Sequence, residues 1–273
     1  MSEQSKPSED LRIALVQADT VWHDADANRE LYGRMIRALA GRADLIVLPE
    51  TFLSGFSNDA VTRAEAMDGV SMQWLKRIAS EVGAVVTGSA VIRDGEQVYN
   101  RLVWAEPDKP LLHYDKRHLF RMAREHERYA AGKHKLIVEL KGWRICPLVC
   151  YDLRFPVWIR NRHDSTFRDR FDYDLLLFVA NWPAARRYAW QTLLRARAIE
   201  NLSYVVGVNR VGTDGNEIAY AGDSVALDFL GMPIIECGSQ PISVVCTLSA
   251  QALHGHRQRF PAFRDADDFE LKV

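Results

Sequence analysis

Residues 173–210 read YDLLLFVANWPAARRYAWQTLLRARAIENLSYVVGVNR. An apolar run (173–180) gives way to a polar turn, a helix-like segment YAWQTLLRARAIEN (188–201) and a second apolar run SYVVGVNR (203–210). Both runs are rich in Val and Leu and apolar almost throughout, the texture of strands buried on both faces. Strand, helix and strand in succession predict an α/β fold with helices laid over a sheet.

The alternation extends outward in both directions. Further strand-like runs are LRIALVQA (11–18), DLIVLP (44–49), GAVVTGSAVI (83–92), VYNRLVWA (98–105), WRICPLVC (143–150) and ISVVCTL (242–248). Between them, DANRELYGRMIRALAGR (26–42) sets Leu31, Met35 and Leu39 four apart on one helical face, with Gly41 near its end. SMQWLKRIASEVG (71–83) reads likewise and stops at Gly83. Segments 83–115 and 203–248 hold consecutive strands without helices, which excludes a simple doubly wound sheet and predicts mixed sheets. No Pro/Gly/Ser-rich linker and no short repeat interrupts the chain, so residues 11–273 are expected to form one domain behind a flexible tail, residues 1–10.

The 273 residues suffice for a substantial core. Apolar residues make up 48% and charged residues 26%, with a net charge of −1, so no strong field attracts nucleic acid or an anionic membrane. No run of about 18 apolar residues predicts a transmembrane helix, and the polar start MSEQSKPSED lacks the regions of a signal peptide. Four cysteines, mostly in apolar runs, suit reduced thiols in the cytoplasm. In CPLVC, strand alternation is expected to put Cys146 and Cys150 on one face, against a redox pair or zinc site. The eight histidines form no metal-spaced pair with a carboxylate. No metal and no cofactor is expected.

Three chemically active residues stand where an apolar run ends: Glu50 in LIVLPET, Lys116 in LLHYDK and Cys150 in ICPLVC. Reacting groups in α/β proteins gather at the carboxyl ends of strands, where loops converge over one crevice. A thiol is a strong nucleophile only as thiolate, so it needs a base or a nearby cation. Glu50 can take the proton, and Lys116 with the Tyr151 N–H can hold an oxyanion. That set describes acyl transfer through a thioester. On spacing alone, a cysteine closing a buried strand is more often core packing, and nothing in the periodicity makes the three loops meet.

LPET, YDKRHLF and CYDLRFP, in this order, resemble the three signature blocks of the nitrilase, or carbon–nitrogen hydrolase, superfamily. The resemblance runs from IALVQ near the start to AGDSVALDFLGMPI and FPAFRD, with NWPAARRYAWQTLLRARAIEN as a fourth block. It implies a four-layer α-β-β-α sandwich with two mixed sheets, and Glu50, Lys116 and Cys150 as base, lysine and nucleophile. It also implies a second glutamate in REHERYAAG, for which Glu125 and Glu127 are candidates. The family's spacing before a glycine, here Gly132, selects Glu125.

Tyr151 and Asp152 after the cysteine are similar to the amidase branches rather than the nitrile branches, and CYDLRFP is most similar to the omega-amidases. That similarity implies hydrolysis of the terminal amide of small dicarboxylic monoamides such as 2-oxoglutaramate, 2-oxosuccinamate or succinamate. An N-carbamoyl or other amide is the alternative, and a catalytically silent binding paralogue a further one. Such a substrate keeps a free carboxylate, which a planar guanidinium pairs well. Arg154 is therefore either a carboxylate clamp or a support bonded to Asp152 or a backbone carbonyl, and Arg121, Arg124, Arg186 and Arg187 fall in rim loops. Asn181 and Trp182 either wall the pocket or anchor the following turn. Apart from the amide, a second copy of the chain is the expected partner, in a homodimer.

Overall fold

Alternation along the strand Leu11–Gln17 sorts its side chains into two cores. Ile13 and Leu15 join Leu45, Val47, Leu102 and Trp104 against the second sheet. Ala14 and Val16 join Tyr32 and Ile36 of the helix Ala25–Arg37 and Met72, Leu75 and Ile78 of the helix Val70–Val82. One strand thus packs on a sheet with one face and on helices with the other. Each large aliphatic side chain fully buried this way contributes roughly 1.5–3 kcal/mol.

This is a computed structural model, and it describes residue 7, residues 9–164 and residues 170–271. Two six-stranded sheets form its centre. The first runs Ile242–Leu248, Leu11–Gln17, Leu45–Val47, Val85–Asp94, Gln97–Ala105, Leu112–Asp115. The second runs Pro233–Glu236, Val225–Leu227, Tyr204–Asn209, Leu175–Ala180, Trp143–Val149, Val138–Leu140. In each sheet three neighbouring strands pair in parallel, and antiparallel pairings add one strand at one edge and two in succession at the other. The helix Arg187–Asn201 covers the second sheet through Trp190, Leu194 and Ala198. The result is helix, sheet, sheet and helix in four layers, as expected of the mixed-sheet sandwich.

The helix read over 26–42 ends at Arg37, and its buried face runs through Asn28, Tyr32 and Ile36. Leu31 and Met35 are only partly buried, because each precedes a residue of that face by one position and is turned about 100° away from it. Gly83 caps the second helix at φ 65°, a left-handed conformation that suits glycine. The tail expected over 1–10 lies outside the described residues apart from Pro7, Glu9 and Asp10. Glu9 and Asp10 are tied down: the Trp143 indole donates to the Glu9 carbonyl at 2.7 Å, and the Ala250 N–H donates to Asp10 Oδ1 at 3.0 Å.

Candidate active site

Glu50, Lys116, Cys150 and Asn181 follow the carboxyl ends of four strands, and all four line one pocket. At its floor, Lys116 Nζ donates to Glu50 Oε1 at 2.9 Å and to Glu125 Oε1 at 3.0 Å. Glu50 and Lys116 are 1% exposed and Glu125 0%. Burial favours the neutral amine of Lys116, but the charges of Glu125 and Glu50 outweigh it and hold the ammonium well above its ordinary range. Burial raises the Glu125 carboxyl, against the opposing pull of Lys116.

A second set of bonds aligns the carboxylates. The Asn181 N–H donates to Glu50 Oε2 at 2.7 Å, and Asn100 Nδ2 donates to Glu50 Oε1 at 2.8 Å. Asn100 is itself held by the Ser89 hydroxyl at 2.8 Å, and the Phe120 N–H donates to Glu125 Oε2 at 2.6 Å. Few lone pairs are left over, so the carboxylates have little freedom to turn.

Cys150 opens a 3₁₀ turn, Cys150–Arg154, at φ 44°, a left-handed conformation uncommon outside glycine. That turn bends the chain out of the strand and presents the thiol to the pocket. Asp152, fully buried, holds the bend: its Oδ2 accepts from the Val149 N–H at 3.0 Å and from the Tyr114 hydroxyl at 2.8 Å. Its Oδ1 accepts from the His118 N–H at 3.0 Å, so one carboxylate ties the cysteine turn to the loop that follows Lys116. Burial and the charge of Glu50 push the Cys150 thiol well up, Lys116 pulls it down, and a hydrogen bond to Glu50 adds to the rise. The resting sulfur is therefore a protonated thiol with a carboxylate in reach of its proton.

The pocket holds about 520 Å³, its open mouth included, and its walls are aromatic: Phe56, Phe120, Tyr151, Trp182 and Tyr220. Tyr151 packs edge-on against Phe120 at 5.0 Å and Phe155 at 5.1 Å between ring centroids. The Arg154 guanidinium lies over the Trp182 ring at 5.0 Å, and that of Arg186 over Phe120 at 5.2 Å.

The two candidate glutamates are separated by this geometry. Glu125 meets Lys116, whereas Glu127 is exposed and pairs with Arg124 at 2.7 Å. Gly132 lies against the same strand end: a Cβ there would fall 2.0 Å from the Asp115 carbonyl oxygen. Asp152 takes its bonds from Val149, Tyr114 and His118, not from Arg154, which lines the pocket instead. Of the other rim arginines, Arg186 lines the pocket, Arg187 pairs with Asp223 at 2.6 Å, and Arg121 and Arg124 do not line it. Asn181 and Trp182 are both wall and anchor, since the Asn181 amide also donates to the Glu50 carbonyl and the Trp182 indole to the Arg186 carbonyl, each at 2.8 Å. The alternation expected to place Cys146 and Cys150 on one face stops at Val149: Cys146 lies in the core, and Cys150 begins the turn. Sequence reasoning passed over Asn100 and Ser89, although a polar Asn inside the apolar run VYNRLVWA was a signal for the first.

Comparison with known proteins agrees with this architecture. Residues 12–250 match the carbon–nitrogen hydrolase family. The chain is 47% identical to the omega-amidase YafV of Escherichia coli (strain K12), over 96% of this chain and 98% of that protein. It is 32% identical to the 2-oxoglutaramate amidase of Bacillus subtilis, over 93% and 96% respectively. A crystal structure from Xanthomonas campestris, a CN-hydrolase superfamily protein with an arsenic adduct in the active site, superposes with a TM-score of 0.95. It is 58% identical and covers 97% of this chain and 100% of its own.

Proposed function

This chain belongs to the carbon–nitrogen hydrolase family, and we propose that it hydrolyses the terminal amide of small dicarboxylic monoamides, 2-oxoglutaramate, 2-oxosuccinamate or succinamate, to acid and ammonia. The observation that carries the reading is the convergence of the Cys150 thiol, the Glu50 carboxylate and the Lys116 ammonium in one pocket. Similarity to an omega-amidase and a 2-oxoglutaramate amidase supports the substrate class.

Because burial keeps the thiol protonated, attack needs a base in place rather than a free thiolate. Glu50 takes the proton as Cys150 Sγ bonds to the amide carbon. Lys116 Nζ and the Tyr151 N–H hold the oxyanion of the tetrahedral intermediate. The carbon–nitrogen bond then breaks, and the nitrogen leaves as ammonia with the proton from Glu50. Glu50 next removes a proton from water, whose oxygen attacks the thioester. The acid departs, and Cys150 recovers its proton. Glu125 fixes Lys116 throughout, Asn181 fixes Glu50, and Arg154, on its Trp182 platform, pairs the substrate's carboxylate.

The same reading takes the enzyme as a cytoplasmic homodimer. Free cysteines suit a reducing compartment, and among the described residues no helix is long and apolar enough to cross a membrane. Leu230, Met232 and Ile234 by one edge of the second sheet, and Ile242 on an edge strand of the first, stand exposed. Sedimentation at micromolar concentration tests the dimer.

Ammonia release from 2-oxoglutaramate, succinamate, glutamine, N-carbamoyl acids and nitriles tests the reaction. Turnover of the monoamides is expected, and its loss in Cys150→Ala with the fold retained. Turnover of carbamoyl acids alone, or wild-type activity in Cys150→Ala, overturns the proposal.

A further inference from the structure

Lys116 lies between Glu50 and Glu125, so the pocket floor has no spare positive charge. The rim is opposite in kind. Arg154 and Arg186 both line the pocket, each rests over an aromatic face, and neither is ion-paired with a carboxylate among the described residues. The adjacent Arg187 is by contrast neutralised by Asp223. Cation–π contact steadies a guanidinium plane while leaving its N–H donors available.

Resting on the amidase reading above, we propose that Arg186 is a specificity-determining residue. With Arg154 it forms a two-guanidinium clamp on the substrate's free carboxylate. A carboxylate carried to the floor would meet Glu50 and Glu125, whereas at the rim it meets two uncompensated planar cations. The contrast sets the direction of entry: amide inward to Cys150, carboxylate outward to Arg154 and Arg186. It also disfavours amides of α-amino acids, whose ammonium would be brought up to both guanidiniums. Arg186 can do this because its backbone carbonyl, not its side chain, serves the fold by accepting from the Trp182 indole.

The test compares wild type, Arg186→Ala and Arg186→Lys on succinamate and on butyramide, which has the same carbon chain without the carboxylate. Arg186→Ala is expected to raise KM for succinamate about tenfold or more, the scale of a lost hydrogen bond to a charged group. The succinamate-to-butyramide ratio of kcat/KM should fall by the same factor, with Arg186→Lys between. An unmoved ratio, or a kcat loss shared by both substrates, overturns the clamp while the amidase reading stands. Failure of the wild type to release ammonia from 2-oxoglutaramate, 2-oxosuccinamate and succinamate alike overturns both, and shows itself before any substitution is made.

Discussion

At the floor of the pocket, Glu50, Lys116, Glu125 and Asn100 are exposed by 1% or less and bonded to one another, whereas at the rim Arg154 and Arg186 stand over aromatic rings without a carboxylate partner among the described residues. Burial makes the difference. A charge removed from water must be compensated by neighbours, while one at a mouth can rely on solvent until a ligand arrives. The floor therefore has to be complete before substrate enters, and its parts support the fold as well as the chemistry. The rim can be incomplete, and substrate is what completes it. Substitutions should divide accordingly, with floor variants losing stability and kcat together and rim variants moving KM alone.

The largest effect is expected at Lys116, where Lys116→Met leaves Glu50 and Glu125 facing each other without a counter-charge. Breaking a buried ion pair from one side costs about 3–5 kcal/mol, and losing an oxyanion donor lowers kcat roughly a hundred- to a thousandfold. The pH dependence follows from the direction of the shift. The Lys116 ammonium is held well above its ordinary 10.5, so its contribution is intact at every pH below that and fades only as pH rises through the higher folded value. In the variant, Glu125, already raised by burial, loses the opposing pull of Lys116, so stability present in acid is lost as pH rises. Thermal unfolding at pH 5 and pH 8 checks this: the deficit in Tm should be smaller at pH 5. A deficit equal at both would mean that the floor does not act as a charge cluster.

A middle effect is expected at Gly132, which touches no substrate. Its Cβ would meet backbone, the Asp115 carbonyl oxygen, and its N–H donates to the Lys116 carbonyl at 3.0 Å. Gly132→Ala must push this loop away from the strand end that presents Lys116. Overpacking of this kind costs about 1–3 kcal/mol, and the displaced lysine should lower kcat about tenfold. Calorimetry and steady-state kinetics check it together. A loss of Tm without a loss of kcat would show that the loop moves without taking Lys116 along.

Gly132 also marks the boundary of what the sequence discloses. Its distance from Glu125 was readable as a spacing, but its cause, packing so tight that a Cβ would fall 2.0 Å from the Asp115 carbonyl oxygen, is tertiary. Glu50, Lys116 and Cys150 were legible because each closes an apolar run, and strand ends are local signals. Asn100 showed only as a polar break in an apolar run, and its role did not show, since its partners lie 50 and 25 residues away and only the fold brings them together. The turn at Cys150 was half legible: the apolar run indicated a strand, yet the left-handed residue that ends it depends on Asp152 and on bonds from Tyr114 and His118. The three-residue strands at 219–221 and 225–227 were missed because short runs carry too few residues to establish a period.

The smallest effect is expected at Glu127, and it tests the comparison from the side of the surface. Glu127 lies two residues from Glu125 in one 3₁₀ turn, so sequence proximity gives each a similar claim on Lys116. The turn separates them: Glu125 points into the floor and bonds Lys116, while Glu127 is exposed and pairs with Arg124 one turn away. The Arg124 hydrogen bond lowers the Glu127 carboxyl, but solvent screens an exposed pair and its net worth is small. Glu127→Gln should therefore leave Tm and kcat/KM within measurement error. Glu125→Gln, which replaces a charge bonded to the buried ammonium, should lower both. Equal loss in the two variants would mean that the turn as a whole, and not one buried carboxylate, positions Lys116, and the contrast between floor and surface would fail at the residues where sequence distance is least.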